Sequence, residues 1–230
     1  MKLMVYNTQH CLNYITKQID FELMAKIIKD YGADVVGLNE IRNTGRDEDY
    51  QNQAQILADL AGYDYNYFAE AIKFSGVNPY GNALLSKSPI VEAKTILVPD
   101  PPRQYSGYYE TRALLKVKLE CGLTVLVIHF GLNPDEQENA VKTVVENLER
   151  EKCILMGDFN VTPDNPVLAP IRERMKDAAD LFTEPLLSFP SDVPTVKIDY
   201  IFVSPDIEII NADIPAIVGA DHRPHVAQIR

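Results

Sequence analysis

Residues 153–160 read Cys-Ile-Leu-Met-Gly-Asp-Phe-Asn: four apolar residues running straight into a glycine, a carboxylate and an amide. An apolar run this short is a strand buried on both faces, and its polar end places Asp158 and Asn160 at a sheet edge. Residues i and i+2 of an extended chain project to the same side. Asp158 and Asn160 then address one point while Phe159 turns into the core. Gly157 lets a backbone or ligand come close. The letters G-D-F-N also suit a turn, and taken alone they leave the two readings open.

Working outward, the same pattern of an apolar run with a polar end recurs. Lys2–Asn7 ends in Asn7, Asp34–Asn39 (DVVGLN) is followed by Glu40, and Thr124–His129 (TVLVIH) ends in His129. Asp199 lies inside Lys-Ile-Asp-Tyr-Ile-Phe-Val, among apolar neighbours. An unpaired buried carboxylate costs several kcal/mol, on the order of 2–7 even for a neutral polar group, so Asp199 needs a partner. His222, in the polar island Ala-Asp-His-Arg-Pro-His before the last strand, is a natural choice; a lysine or arginine is the other. An Asp–His pair orients the imidazole, stabilises its charged form and makes His222 a proton acceptor. Asn7, Glu40 and Asp221 offer oxygen ligands and no soft donor, a set suited to Mg²⁺ or Mn²⁺ rather than zinc. His129, Arg112 and Asn82 are candidate contacts to phosphate oxygens. Their structural alternatives are a hydrogen-bonded histidine, a surface charge and a turn cap.

The remaining elements predict an α+β fold of two packed sheets with helices outside. Helices are expected over 20–31, 50–61 and 134–150, with Asp20 as an N-cap and Gly32 and Gly62 as C-terminal stops. Strands are expected over 63–69, 81–86, 90–97, 111–119, 123–129, 196–204 and 226–230, with loops at 71–80 and 99–109. Hairpins occur beside crossovers, which disfavours a purely parallel sheet. No repeat or linker divides the 230 residues, so residues 1–230 are expected to form a single domain.

Composition excludes several classes. With 46% hydrophobic residues the chain is neither disordered nor fibrous. A net charge of −11 gives no overall attraction to duplex nucleic acid. There is no phosphate-binding GxxxxGK loop, no GxGxxG turn, no GxSxG elbow and no HExxH pair. No run of 18 apolar residues is present and the N-terminus lacks a signal-peptide pattern. Three scattered cysteines without a CxxC pair read as free thiols, so a cytoplasmic location is expected.

Seven words carry a resemblance: the strand ending in Asn7; G-L-N-E with Glu40; G-N-A-L-L-S-K-S-P-I; H-F-G-L from His129; G-D-F-N from Gly157; K-I-D-Y-I-F-V-S from Lys197; and D-H-R-P-H-V from Asp221. In this order the chain resembles the endonuclease/exonuclease/phosphatase superfamily, from Asn7 to His222. That superfamily includes deoxyribonuclease I-like nucleases, abasic-site endonucleases, neutral sphingomyelinases and inositol polyphosphate 5-phosphatases. The resemblance implies a four-layer α/β/β/α sandwich with one Mg²⁺- or Mn²⁺-dependent site. Glu40 would bind the metal with Asn7 and Asp221, and Asp158 would activate water. Asn160 would hold the phosphate or nucleophile, and His222, oriented by Asp199, would be the general base or the charged group facing the phosphoryl transition state. His129 would stabilise phosphate oxygens, and Arg112 matches the phosphate-contacting arginine of some members. The implied partner is a phosphoester substrate, with no protein partner evident. A phosphodiesterase or nuclease-type activity is the first expectation, a small-molecule or lipid-headgroup phosphatase or sphingomyelinase-like enzyme the second, and a non-catalytic binding relative the third. Gln9, where abasic-site endonucleases carry an acid, weakens that subgroup. His225, where a small apolar residue is common, is expected at the mouth of the site.

Overall fold

The computed structural model describes Met1–Arg230. The elements in chain order are β1 (Lys2–Asn7), α1 (Phe21–Tyr31), β2 (Val35–Arg42), α2 (Gln53–Ala61), β3 (Tyr65–Phe74), β4 (Asn78–Ser86), β5 (Ile90–Leu97), β6 (Ala113–Leu119), β7 (Thr124–His129), α3 (Pro134–Asn147), β8 (Cys153–Asp158), α4 (Ala169–Arg172), β9 (Lys176–Asp177), β10 (Asp199–Val203), β11 (Ile209–Asp213) and β12 (His225–Ile229). They form two six-stranded sheets, ordered β11-β12-β1-β2-β4-β3 and β5-β6-β7-β8-β10-β9.

Side-chain alternation on the central strands generates four layers. In β1, Leu3 and Val5 point between the sheets, where they meet Leu115, Val127, Met156 and Ile201. Met4 and Tyr6 point outward onto Met24 and Ile28 of α1 and Leu57 of α2. On the second sheet, Leu126, Leu155 and Phe202 face outward onto Ala140 and Val144 of α3 and Ile171 of α4. Burying each such aliphatic side chain stabilises the fold by about 1.5–3 kcal/mol, which makes the three apolar layers the main source of stability. The fold is therefore the expected α/β/β/α sandwich, of α+β class.

Local signals set the helix ends. The Asp20 side chain accepts from Leu23 N at 2.9 Å, and Gly32 closes α1 with φ of 68°. Gly157 is fixed by space, since a Cβ there would lie 1.8 Å from the Ile128 carbonyl oxygen. That contact draws the ends of β7 and β8 together.

Several sequence expectations are corrected. Residues 71–80 form the outer arms of a β3–β4 hairpin, with Ile72 opposite Tyr80 and Phe74 opposite Asn78, not a loop. Gly76 belongs to the tip, while Asn78 and Pro79 pair with Phe74 and Lys73 as the first residues of β4. The short strands β9 and β11 and helix α4 carry no periodic signal of their own, because neighbours hold them in place. α3 ends at Asn147 rather than 150, and β10 begins at Asp199 rather than 196.

Candidate functional site

Strand register assembles the site. Each sheet has one parallel pair, and the two pairs end at the same rim. Asn7 pairs with Asn39 across β1 and β2, and His129 pairs with Asp158 across β7 and β8. The antiparallel strand β10 starts with Asp199 opposite Asp158. His129, Asp158 and Asp199 thus form one row across three strands, facing the Asn7 row of the other sheet.

The facing rows are joined by hydrogen bonds. Asn7 Nδ2 donates to Glu40 Oε1 at 2.9 Å and to Asp158 Oδ2 at 3.0 Å, so one amide bridges carboxylates from both sheets. Glu40 sits in the bulge where β2 shifts register against β4, with φ of 61°. A left-handed backbone is unfavourable for glutamate, and such strain concentrates at functional sites. Here it turns Glu40 back toward Asn7. Asn160 also has a positive φ, 50°, and its N–H donates to Asp158 Oδ1 at 2.9 Å. Both readings of G-D-F-N are thereby realised: the segment turns, and Asp158 and Asn160 still meet at His129.

His222 lies between two carboxylates. Its Nδ1 is 2.9 Å from Asp199 Oδ2 and its Nε2 is 3.5 Å from Asp158 Oδ2. Burial opposes the charged imidazole, but Asp199, Asp158 and Asp221 outweigh it and raise its pKa, so the ring is an imidazolium at neutral pH. Asp158 is also raised, first by burial and then by Asp199, against the pull of His222. His222 is thus one cation shared by two buried carboxylates, with Asp199 the nearer. The Phe189 ring, 4.8 Å from the imidazole, shields the group from water.

His129 is the opposite case. Burial, then the charges of Arg112 and His222, hold it well below its ordinary pKa, so it is neutral. Arg112 Nη1 lies 3.1 Å from His129 Nδ1, and a guanidinium only donates. Nδ1 therefore accepts, while Nε2 lies 3.5 Å from Asp158 Oδ2 and 3.1 Å from Asn160 Nδ2. Asn160 Nδ2 donates to the Phe130 carbonyl at 3.0 Å. Arg112 is buried and paired with Glu110, not the surface charge that was one reading of it. Asp221 Oδ1 is buried without a partner, and burial, opposed by His222 and reinforced by Glu40, raises Asp221 to about 6.

One expectation changes. His225 is fully buried rather than at the mouth of the site, donating from Nδ1 to the Asp199 carbonyl at 3.2 Å. Asn82 donates one N–H of Nδ2 to Ala113 O at 2.8 Å, and its Oδ1 accepts from Asn39 at 2.8 Å, which leaves its second N–H as a donor. Asn39 was missed by sequence reasoning. It is fully buried, accepts from the Asp158 N–H at 2.9 Å, and donates to Ile128 O at 3.0 Å as well as to Asn82. Its signal was an amide inside the apolar run 34–39, the feature already used for Asp199.

The residues fit a hard divalent cation. Asn7, Glu40 and Asp221 provide oxygen-bearing groups, and the buried, unpartnered Asp221 Oδ1 is an acceptor with nothing to satisfy it. Asp158, Asp199 and His222 also bring ligand-type atoms within 4.8 Å of one another. His222 already bridges the two carboxylates of that trio, whereas the oxygen set has an acceptor still to satisfy.

Comparison with known proteins agrees with this fold. The model of the Endonuclease/Exonuclease/phosphatase family matches residues 4–222. No curated protein matches the sequence. Among solved structures, an endonuclease/exonuclease/phosphatase from Beutenbergia cavernae superposes with a TM-score of 0.80 at 21% identity, covering 100% of this chain and 71% of that one. A mannosyl-6-phosphatase from Bacteroides thetaiotaomicron gives 0.76 at 17% identity, covering 100% and 99%. A 3′ phosphatase from Neisseria bound to a product DNA hairpin gives 0.68 at 16% identity, again covering 100% and 99%.

Proposed function

Since the chain belongs to the endonuclease/exonuclease/phosphatase family, whose members hydrolyse phosphoester bonds, we propose that it is a Mg²⁺- or Mn²⁺-dependent phosphoesterase acting on phosphodiesters. The whole chain, residues 1–230, serves as one catalytic domain in this reading. The observation that carries it is the bridge from Asn7 to Glu40 and Asp158, with His222 beside Asp158. Residues 151 positions apart could not share this geometry for reasons of local structure.

Glu40, Asn7 and Asp221 would hold the cation. When bound, it supplies positive charge that offsets the anionic site and the developing negative charge on a phosphoryl group. The chain's own groups do the rest. Asp158, its proton affinity raised by burial, takes the proton of an attacking water. Asn160 holds that water or a phosphoryl oxygen. His222, an imidazolium fixed by Asp199, faces the phosphoryl oxygens as a preorganised positive charge. Of the two roles foreseen for His222, the charged one fits its surroundings. His129 presents Nε2 in the same region, and Arg112 offers a guanidinium beside it. Asn82 holds Asn39 in place and keeps one N–H for a phosphate oxygen. No helix is long and apolar enough to cross a membrane. We take the enzyme to be cytoplasmic, its substrate a nucleic-acid fragment, a nucleotide or another phosphodiester.

Hydrolysis of bis-p-nitrophenyl phosphate tests the reading. We expect turnover with Mg²⁺ or Mn²⁺ and its loss with excess chelator, restored by adding back metal. An absence of metal-dependent turnover across a panel of phosphodiesters and phosphomonoesters would favour a binding role and reject an enzymatic one.

A further inference from the structure

Arg112 is a cation at the rim of an anionic site, and it is already matched. Its Nη1 donates to Glu110 Oε1 as well as to His129 Nδ1. The side chains of Arg112 and Glu110 are only 10% and 8% exposed, so this is not a screened surface pair. Glu110 is held from behind. Its N–H donates to Glu136 Oε1 at 3.1 Å, and Tyr108 OH donates to its Oε2 at 3.3 Å. Glu136 in turn caps α3 through Asn133 N at 3.1 Å, and Asp135 accepts from Tyr109 OH at 2.9 Å. The loop 99–111 is thus fastened to the start of α3, and the Glu110 carboxylate is placed rather than mobile. Behind the pair lies a cavity of about 10 Å³ lined by Tyr80, Asn82, Glu110, Arg112 and His129, enough for about one water and too small for a phosphate. Arg112 Nε is buried without a partner, and an oxyanion at this guanidinium competes with Glu110 for its charge.

We propose that Glu110 is an internal anion that neutralises Arg112 and so sets the charge of the phosphoester accepted, favouring a monoanionic diester over a dianionic monoester. The inference rests on the phosphoesterase reading. The site already holds the carboxyl groups of Glu40, Asp158, Asp199 and Asp221. With Arg112 matched by Glu110, and His222 held between Asp199 and Asp158, neither cation is left unpaired to meet a second phosphate charge. Removing the Glu110 charge frees a preorganised, buried guanidinium for bidentate contact with a phosphate.

The test compares wild type with Glu110→Gln in Mg²⁺. It uses kcat/KM on bis-p-nitrophenyl phosphate and p-nitrophenyl phosphate, together with calorimetric binding of inorganic phosphate. We expect the monoester-to-diester ratio to rise about tenfold or more and inorganic phosphate to bind about tenfold tighter, the worth of one charge-assisted hydrogen bond. In an Arg112→Gln background the same change should have no such effect. Tyr108→Phe, an exposed substitution that loosens Glu110, should move both readouts in the same direction by about two- to threefold, and it serves if Glu110→Gln lowers stability. Unchanged phosphate affinity in folded Glu110→Gln overturns the proposal, as does an equal effect with Arg112 removed. A wild type inactive on both esters overturns the phosphoesterase reading instead, and phosphate binding still decides the role of Glu110.

Discussion

His222→Ala should lower kcat on a phosphodiester by about 10²–10⁴-fold while the fold persists. The imidazolium lies 2.9 Å from Asp199 and 3.5 Å from Asp158, so its loss removes the fixed positive charge at the reacting centre. It also leaves two buried carboxylates facing each other, and breaking a buried pair in this way costs about 3–5 kcal/mol. Activity should therefore be read where circular dichroism shows the variant folded. Asp199→Asn should give a smaller loss, because the ring remains but its orientation and charge are less well supported. A His222→Ala enzyme within a few-fold of wild type would remove His222 from the mechanism.

Asn39→Ala should destabilise the fold by about 3–5 kcal/mol, as much as His222→Ala, from orphaned hydrogen-bonding groups together with a cavity. Three bonds converge on this side chain: from Asp158 N–H at 2.9 Å, to Asn82 at 2.8 Å and to Ile128 O at 3.0 Å. All three partners lie in the interior, out of reach of bulk water, so none is compensated when the amide goes. At this chain length the loss corresponds to a fall in Tm of about 10 °C. Asp158 would lose the backbone anchor that fixes its position, so kcat should fall as well. Denaturant unfolding of the two proteins measures the difference. A change below about 1 kcal/mol would show that the two sheets are not pinned together through this amide.

The sequence made much of the site legible because polar groups at the ends of apolar strands have few reasons to exist. Asp199 is the clearest case: a carboxylate inside Ile-Asp-Tyr-Ile-Phe needs a cation, and the structure supplies His222. Helix ends were equally readable at Asp20, Gly32 and Gly62, where the signal is local. Non-local consequences were less so. Asn39 passed as one more strand residue because its role is to join two sheets, and no local pattern records which sheets will face each other. The bulge that turns Glu40 depends on β4 pairing out of step, and the hairpin over 65–86 was shortened because Gly76, Asn78 and Pro79 look like loop residues. Glu110 was invisible as a partner of Arg112, since Glu-Thr-Arg at the head of a strand reads as solvated charge until the loop beside α3 is folded over it.

The account turns on oxygen ligands from distant parts of the chain holding one divalent cation, and Mn²⁺ titration followed by electron paramagnetic resonance reads that without any substrate. Wild type should bind Mn²⁺ in competition with Mg²⁺, and Glu40→Gln should weaken it by at least about tenfold, the loss of one carboxylate ligand, while Glu70→Gln on the exposed hairpin should not. Equal Mn²⁺ affinity in wild type and Glu40→Gln would place the cation elsewhere and contradict the site described above.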